Sequence, residues 1–140
     1  MRSMQQLLKT LTKLEVRTMS RYERAADRFF AAWNASDEDI RAKAVAAAWT
    51  EDAVYLDPKI DTSGHDQLAA AIGGVLAQLP GYEFRRVGAV DGHHDVARFS
   101  WELVSLADGS APAAGTDVIT LGDDDRITRV VGFLDRELAA

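Results

Sequence analysis

The chain has 140 residues, 47% of them hydrophobic and 27% charged, with a formal net charge of −6; that suits one globular domain and is too short for two. The acidic balance makes a poor partner for nucleic acid or anionic lipid, which require clustered Lys and Arg. The absence of cysteine excludes disulfides, thiolate nucleophiles and thiolate-bound metals, and no apolar run approaches the ~20 residues that span a bilayer.

The first nineteen residues are basic and moderately amphipathic, and lack the continuous apolar core of a signal peptide. Together with the missing cysteine, this points to a cytoplasmic protein. Leu7, Leu11 and Leu14 recur at helical spacing, so this stretch reads as a helix, either separate from the next or continuous with it. Met19 is a second candidate start, which would make residues 1–18 an upstream extension. Ser20-Arg21-Tyr22-Glu23 fits a capping box, in which side chains satisfy orphan backbone donors. Tyr22, Ala26, Phe29, Phe30 and Trp33 follow at helical spacing and predict a helix over about 21–34. Asn34–Asp37 breaks it, and an Ala-rich helix over about 37–49 follows. Residues 53–57 alternate as a short strand. After Pro58, Ser63-Gly64-His65-Asp66 starts a third helix, ended by Pro80-Gly81. From there the chain reads as strands at about 82–90, 94–106, 114–121 and 126–134. Asp91-Gly92, Ala107–Gly109 and Gly122–Asp125 supply the turns. Three helices and one strand followed by a four-strand meander make an α+β pattern.

Side chains alternate along a strand, so each strand has two faces. Ala53, Tyr55 and Asp57 share one face. Ala97, Phe99, Trp101 and Leu103 share another, which must be buried, leaving Arg98 pointing outward. On 115–121, Asp117 is the one charged residue on the more apolar face. A lone carboxylate there destabilises unless it is protonated, hydrogen-bonded or functional.

The ordered segments FFAAWNASD, WTEDAVYLDP, SGHDQLAAAI, HHDVARFSWEL, GTDVITL and RITRVVGFLD resemble the SnoaL-like branch of the nuclear-transport-factor-2-like superfamily. That superfamily includes ketosteroid isomerase, polyketide cyclases, scytalone dehydratase and limonene epoxide hydrolase. The resemblance covers about residues 20–135, which leaves 1–19 as an N-terminal extension and 136–140 as a C-terminal tail. It implies a conical α+β barrel, cystatin-like, in which a bent mixed sheet wraps N-terminal helices and leaves an apolar pocket. It also implies a homodimer. Asp57, followed by proline at a strand end, matches the isomerase's general base. Asp117 matches its oxyanion aspartate. Phe29 occupies the place of its helix tyrosine and offers no donor, which speaks against a steroid isomerase in the strict sense. The Asp-Arg-Asp arrangement of the epoxide hydrolase needs an inward arginine, and Arg98 falls on the wrong face.

Each candidate has a plainer alternative. Asp57 is either a pocket base or the cap of a backbone turn before Pro58. Asp117 is either an acid/base or a locally satisfied buried carboxyl. Tyr55 either donates to a ligand carbonyl or packs as an aromatic. Phe29, Trp33, Phe99 and Trp101 either line a ligand cavity or fill the core. His93 and His94 suggest no shared metal site, since adjacent strand residues face opposite sides, and His65 sits at a helix start; the alternative for one of the three is a place in the pocket. Asp123–Asp125 is too short for a calcium loop. The expectation is therefore an enzyme without metal or organic cofactor. It would carry out isomerisation, cyclisation or dehydration of an apolar, carbonyl-containing small molecule, with Asp57 and Asp117 catalytic. Tyr55, Phe29, Trp33, Phe99 and Trp101 would contact substrate. The alternative is a non-catalytic ligand-binding or dimerisation module.

Overall fold

The computed structural model describes residues 3–7 and 19–138. The expected N-terminal helix falls mostly outside them; residues 4–7 are helical. Helix α1 spans Arg21–Trp33, and its Ser20 cap accepts a hydrogen bond from the Glu23 N–H, as the capping pattern leads one to expect. Helix α2 spans Glu38–Ala48, capped by Asp37 through the Ile40 N–H. Strand β1 is Trp49–Leu56, β2 is Asp61–Ser63, and helix α3 is His65–Ala77. Four strands close the chain: β3 Tyr82–His93, β4 Val96–Ser105, β5 Ala113–Leu121 and β6 Ile127–Arg136.

These six strands form one curved sheet in the order β2-β1-β6-β5-β4-β3. Strands β1 and β6 pair in parallel, and every other neighbouring pair is antiparallel. Register shifts in the β1–β6, β3–β4 and β5–β6 pairs mark where the sheet bends. The inward faces of β1, β4, β5 and β6 pack on α1 and α3. The Phe29 ring stands at the centre, 5.0 Å from Phe99 and 5.6 Å from Trp49. Burying each such side chain is worth roughly 1.5–3 kcal/mol, and this cluster supplies most of the fold's cohesion.

Two sequence expectations shift. The first strand is longer than residues 53–57: it starts at Trp49, directly after α2, and folds back onto a short β2 that alternation had not revealed. The turn between β3 and β4 lies at His94-Asp95 rather than Asp91-Gly92. Asp91 stays in the strand, where it faces Arg98 across the pair and bonds its guanidinium at 3.2 Å. Gly92 stays there too, because the Tyr22 ring sits where a Cβ would be, with its nearest atom 2.4 Å away. Leaving that glycine bare lets α1 rest against the sheet.

Candidate functional site

A cavity of about 150 Å³ opens between α1, the end of α3 and the concave side of the sheet. Phe29 and Trp33 enter it from α1, Tyr55 and Asp57 from β1 and its end, and Trp101 and Asp117 from β4 and β5.

Asp117 is 2% exposed. Its register partners are Phe99 on β4 and Gly132 on β6. Gly132 is what makes room for it: a Cβ there would lie 2.5 Å from Asp117 Oδ1 and 3.2 Å from the Asp57 Cβ. The other carboxyl oxygen, Oδ2, accepts a 2.8 Å hydrogen bond from Trp101 Nε1. Trp101 reaches it because Gly115 is also bare; a Cβ there would meet the indole at 2.4 Å. Burial lifts the Asp117 pKa to about 7; the Trp101 bond pulls it down, and the negative charges of Asp57 and Asp135 push it up. Asp117 is therefore poised between acid and anion at neutral pH.

Asp57 lies just past β1, half-buried. Its Oδ1 accepts 2.8 Å hydrogen bonds from the N–H groups of Lys59 and Ile60, and its own N–H donates to the Ile60 carbonyl at 2.9 Å. Asp57 thus caps a turn and borders the cavity at once. One oxygen caps the turn around Pro58, while the residue lines the cavity and Oδ2 has no hydrogen-bond partner among the described residues. The turn holds the carboxylate in one orientation.

Tyr55 is 3% exposed. Burial raises its phenol pKa well above the ordinary value, and the neighbouring Asp117 and Asp57 charges raise it further. It stays a neutral hydroxyl, able to donate. Phe29 and Trp33, one turn apart on α1, line the cavity, and Trp101 does so half-buried. Phe99 does not line it. Its ring turns into the core between Phe29 and Phe30, 5.0 and 5.4 Å away, because α1 covers that part of the sheet.

The sequence reading passed over several contributors. Gly115 and Gly132 carry no chemistry, yet they create the space for Trp101 and Asp117; the only signal was a glycine in each of two strands. Arg136, Glu137 and Leu138 lie against the cavity, although the sequence reading assigned them to a tail. Strand β6 runs two residues further than the pattern suggested, to Arg136, and brings them there. His65 instead contacts the Trp49 carbonyl through Nε2 at 2.8 Å. Among the described residues, no three of His, Asp and Glu gather as a metal-binding group. Arg98 is 70% exposed and bonded to Asp91, so no arginine stands between Asp57 and Asp117 from β4. No helix among the described residues is long and apolar enough to cross a membrane.

The model of the SnoaL-like domain family matches residues 26–130. A solved SnoaL-like family structure from Agrobacterium tumefaciens, whose name proposes an isomerase, is 42% identical, with a TM-score of 0.79 over 84% of this chain and 99% of that one. An Exiguobacterium protein of the NTF2-like class and unknown function shares 22% identity at a TM-score of 0.63, over 79% of this chain and 98% of its own. A Sinorhizobium meliloti protein, whose name proposes a polyketide cyclase, shares 18% identity at 0.59, over 78% and 93%. These last two likenesses speak to the fold alone. Among curated proteins, none matches the sequence.

Proposed function

The chain belongs to the SnoaL-like domain family, and from that premise we propose that it is a small-molecule enzyme working by acid/base chemistry without a cofactor. Its substrate is an apolar, carbonyl-containing ligand, and the reaction is an isomerisation, cyclisation or dehydration. The observation that carries this reading is the pair of carboxyls brought together over Gly132, with Asp117 buried and poised near pH 7. Asp57, held by its turn, takes a proton from the carbon next to the carbonyl through Oδ2. The protonated Asp117 gives a hydrogen bond to the carbonyl oxygen as negative charge builds there. Tyr55, kept neutral, is a second donor on the same face. The aromatic walls lower the polarity around the buried Asp117, which strengthens the interactions made there.

Deuterium uptake tests this. In heavy water, small cyclic ketones and enones should gain deuterium next to the carbonyl when the protein is present. Asp57→Asn should slow the uptake by roughly 10²–10⁴-fold and leave ligand affinity unchanged. A second reading, a non-catalytic binding module, is favoured by the turn-capping bonds of Asp57 Oδ1. It predicts no uptake with any ketone and tolerance of Asp57→Asn.

We also propose a homodimer through the outer sheet face. Val118 and Phe133 stand 38% and 58% exposed there, on positions that alternate with inward Asp117 and Gly132. Sedimentation that shows a monomer at high protein concentration would remove this proposal.

A further inference from the structure

The cavity has two chemically different ends. Asp117, 2% exposed, marks the inner end. Lys59, Arg136 and Glu137 also line the cavity, and all three are exposed, so they mark its mouth. The charges acting on Asp117 are those of Asp57 and Asp135, with no cation among them. The ion pairs of the described residues join neither Lys59 nor Arg136 to Asp57, Asp117 or Glu137, the acids of the lining. Both cations are positioned, and both keep donors free. The Lys59 N–H bonds Asp57 Oδ1 at 2.8 Å, so the turn that orients Asp57 also fixes the base of the lysine side chain. Its Nζ has no partner among the described residues. Arg136 ends β6 and donates from Nε and Nη2 to the Ala111 carbonyl at 3.1 and 2.7 Å. Those bonds pin the guanidinium to the segment between β4 and β5 and leave Nη1 without a partner among the described residues. Glu102 Oε2 stands 3.9 Å from Nη2, too far for a hydrogen bond.

We infer that Lys59 and Arg136 form an anion-binding subsite at the mouth, and that the ligand is a single apolar ring bearing a carboxylate which these two side chains hold. The inference deepens the acid/base reading and rests on it for the carbonyl on the ring. Two cations against Glu137 leave the mouth with one positive charge in surplus, on a chain whose net charge is −6. That surplus matches a monoanion. A phosphate would bring a second negative charge towards Glu137 and Asp57 with nothing to balance it. Arg136 Nη1 and Lys59 Nζ offer charge-assisted hydrogen bonds to carboxylate oxygens. The aromatic walls suit an apolar ring, and about 150 Å³ admits one six-membered ring rather than a fused polycycle. With the carboxylate held at the mouth, the ring points inward, and the two cations select which ring carbon meets Asp57.

The test compares 3-oxocyclohexanecarboxylate with its carboxamide, which has nearly the same shape and no charge. Binding is read by chemical-shift titration of the labelled full chain at pH 6, where the probe's carboxyl is ionised. The carboxylate should bind about threefold to tenfold more tightly than the amide, the range expected of partly exposed charge pairs, and about 0.5 M salt should shrink that ratio. Lys59→Gln removes a charge that has no partner in the fold, and should lower the ratio; Arg136→Gln should lower it too. Glu137→Gln should raise it. Cyclohexanecarboxylate, which lacks the ketone, should show the same dependence on Lys59. The inference is overturned if carboxylate and amide bind alike, if salt leaves the ratio unchanged, if neither cation variant lowers it, or if the carboxylate does not bind at tens of millimolar. Deuterium uptake next to the ketone separates the two claims. Uptake by both probes without a carboxylate preference overturns this inference and keeps the acid/base reading. A carboxylate preference that depends on Lys59, without uptake, keeps the subsite and overturns that reading.

Discussion

At the scale of single residues, the account turns on how Trp101 and burial act in opposite directions on Asp117. The indole N–H favours the carboxylate, and removal from water favours the neutral acid. Trp101→Phe keeps an aromatic ring and deletes the donor. The Asp117 midpoint should then rise above about 7, as read by a carboxyl titration of the variant; an unchanged or lower midpoint would show that the bond contributes nothing. If protonated Asp117 is the donor in the reaction, kcat/KM falls as pH rises through about 7. Asp117 was legible in the sequence because alternation placed one charge on an apolar strand face. The partner of that charge was not legible, since nothing in a linear pattern says that the Trp101 indole crosses over Gly115 to reach it. Phe99 shows the same limit from the other side. Its face was read correctly, but whether that face meets helix or cavity depends on where α1 lies.

At the scale of elements, glycines in β5 and β6 shape the site. Gly132→Ala should destabilise the protein by about 1–3 kcal/mol, the usual penalty of forcing a methyl into a filled space, because the new Cβ would press on Asp117 Oδ1 from 2.5 Å. Gly74→Ala is the control. It lies in α3 with nothing within 4 Å of its would-be Cβ, and should stabilise by about 0.5–1 kcal/mol. Urea denaturation of both variants reads the contrast, and equal effects would contradict this account of Gly132. Helices α1 and α2 were readable because their caps and periodicity are local. The short β2 and the displaced β3–β4 turn were not. β2 exists only through pairing with β1, and Gly92 looks like turn chemistry until the Tyr22 ring is seen lying on it.

At the scale of the whole molecule, a buried acid with a raised pKa ties stability to pH. The folded protein holds the Asp117 proton up to about pH 7, whereas the unfolded chain loses it near pH 3.9. Between those values the folded state binds more protons, so this residue's contribution weakens as pH rises and levels off above 7. The full effect is on the order of 4 kcal/mol. Wild type should therefore lose stability relative to Asp117→Asn between pH 4 and 7.5, measured as the difference in urea midpoints; a difference flat across that range would contradict it. The fold as a whole was legible because six short segments in order carry it. The cavity's size and the role of residues 136–138 were not, because both depend on how far β6 extends and where it bends.

The central claim is that Asp117 is a carboxyl kept protonated near neutrality inside the cavity. A carbon-13 titration of its side-chain carboxyl from pH 3 to 9 tests this directly. The account predicts a midpoint near 7, shifted by a ligand that binds in the cavity. A midpoint at or below about 3.9, the ordinary value for aspartic acid, would contradict it and leave the binding module as the better reading.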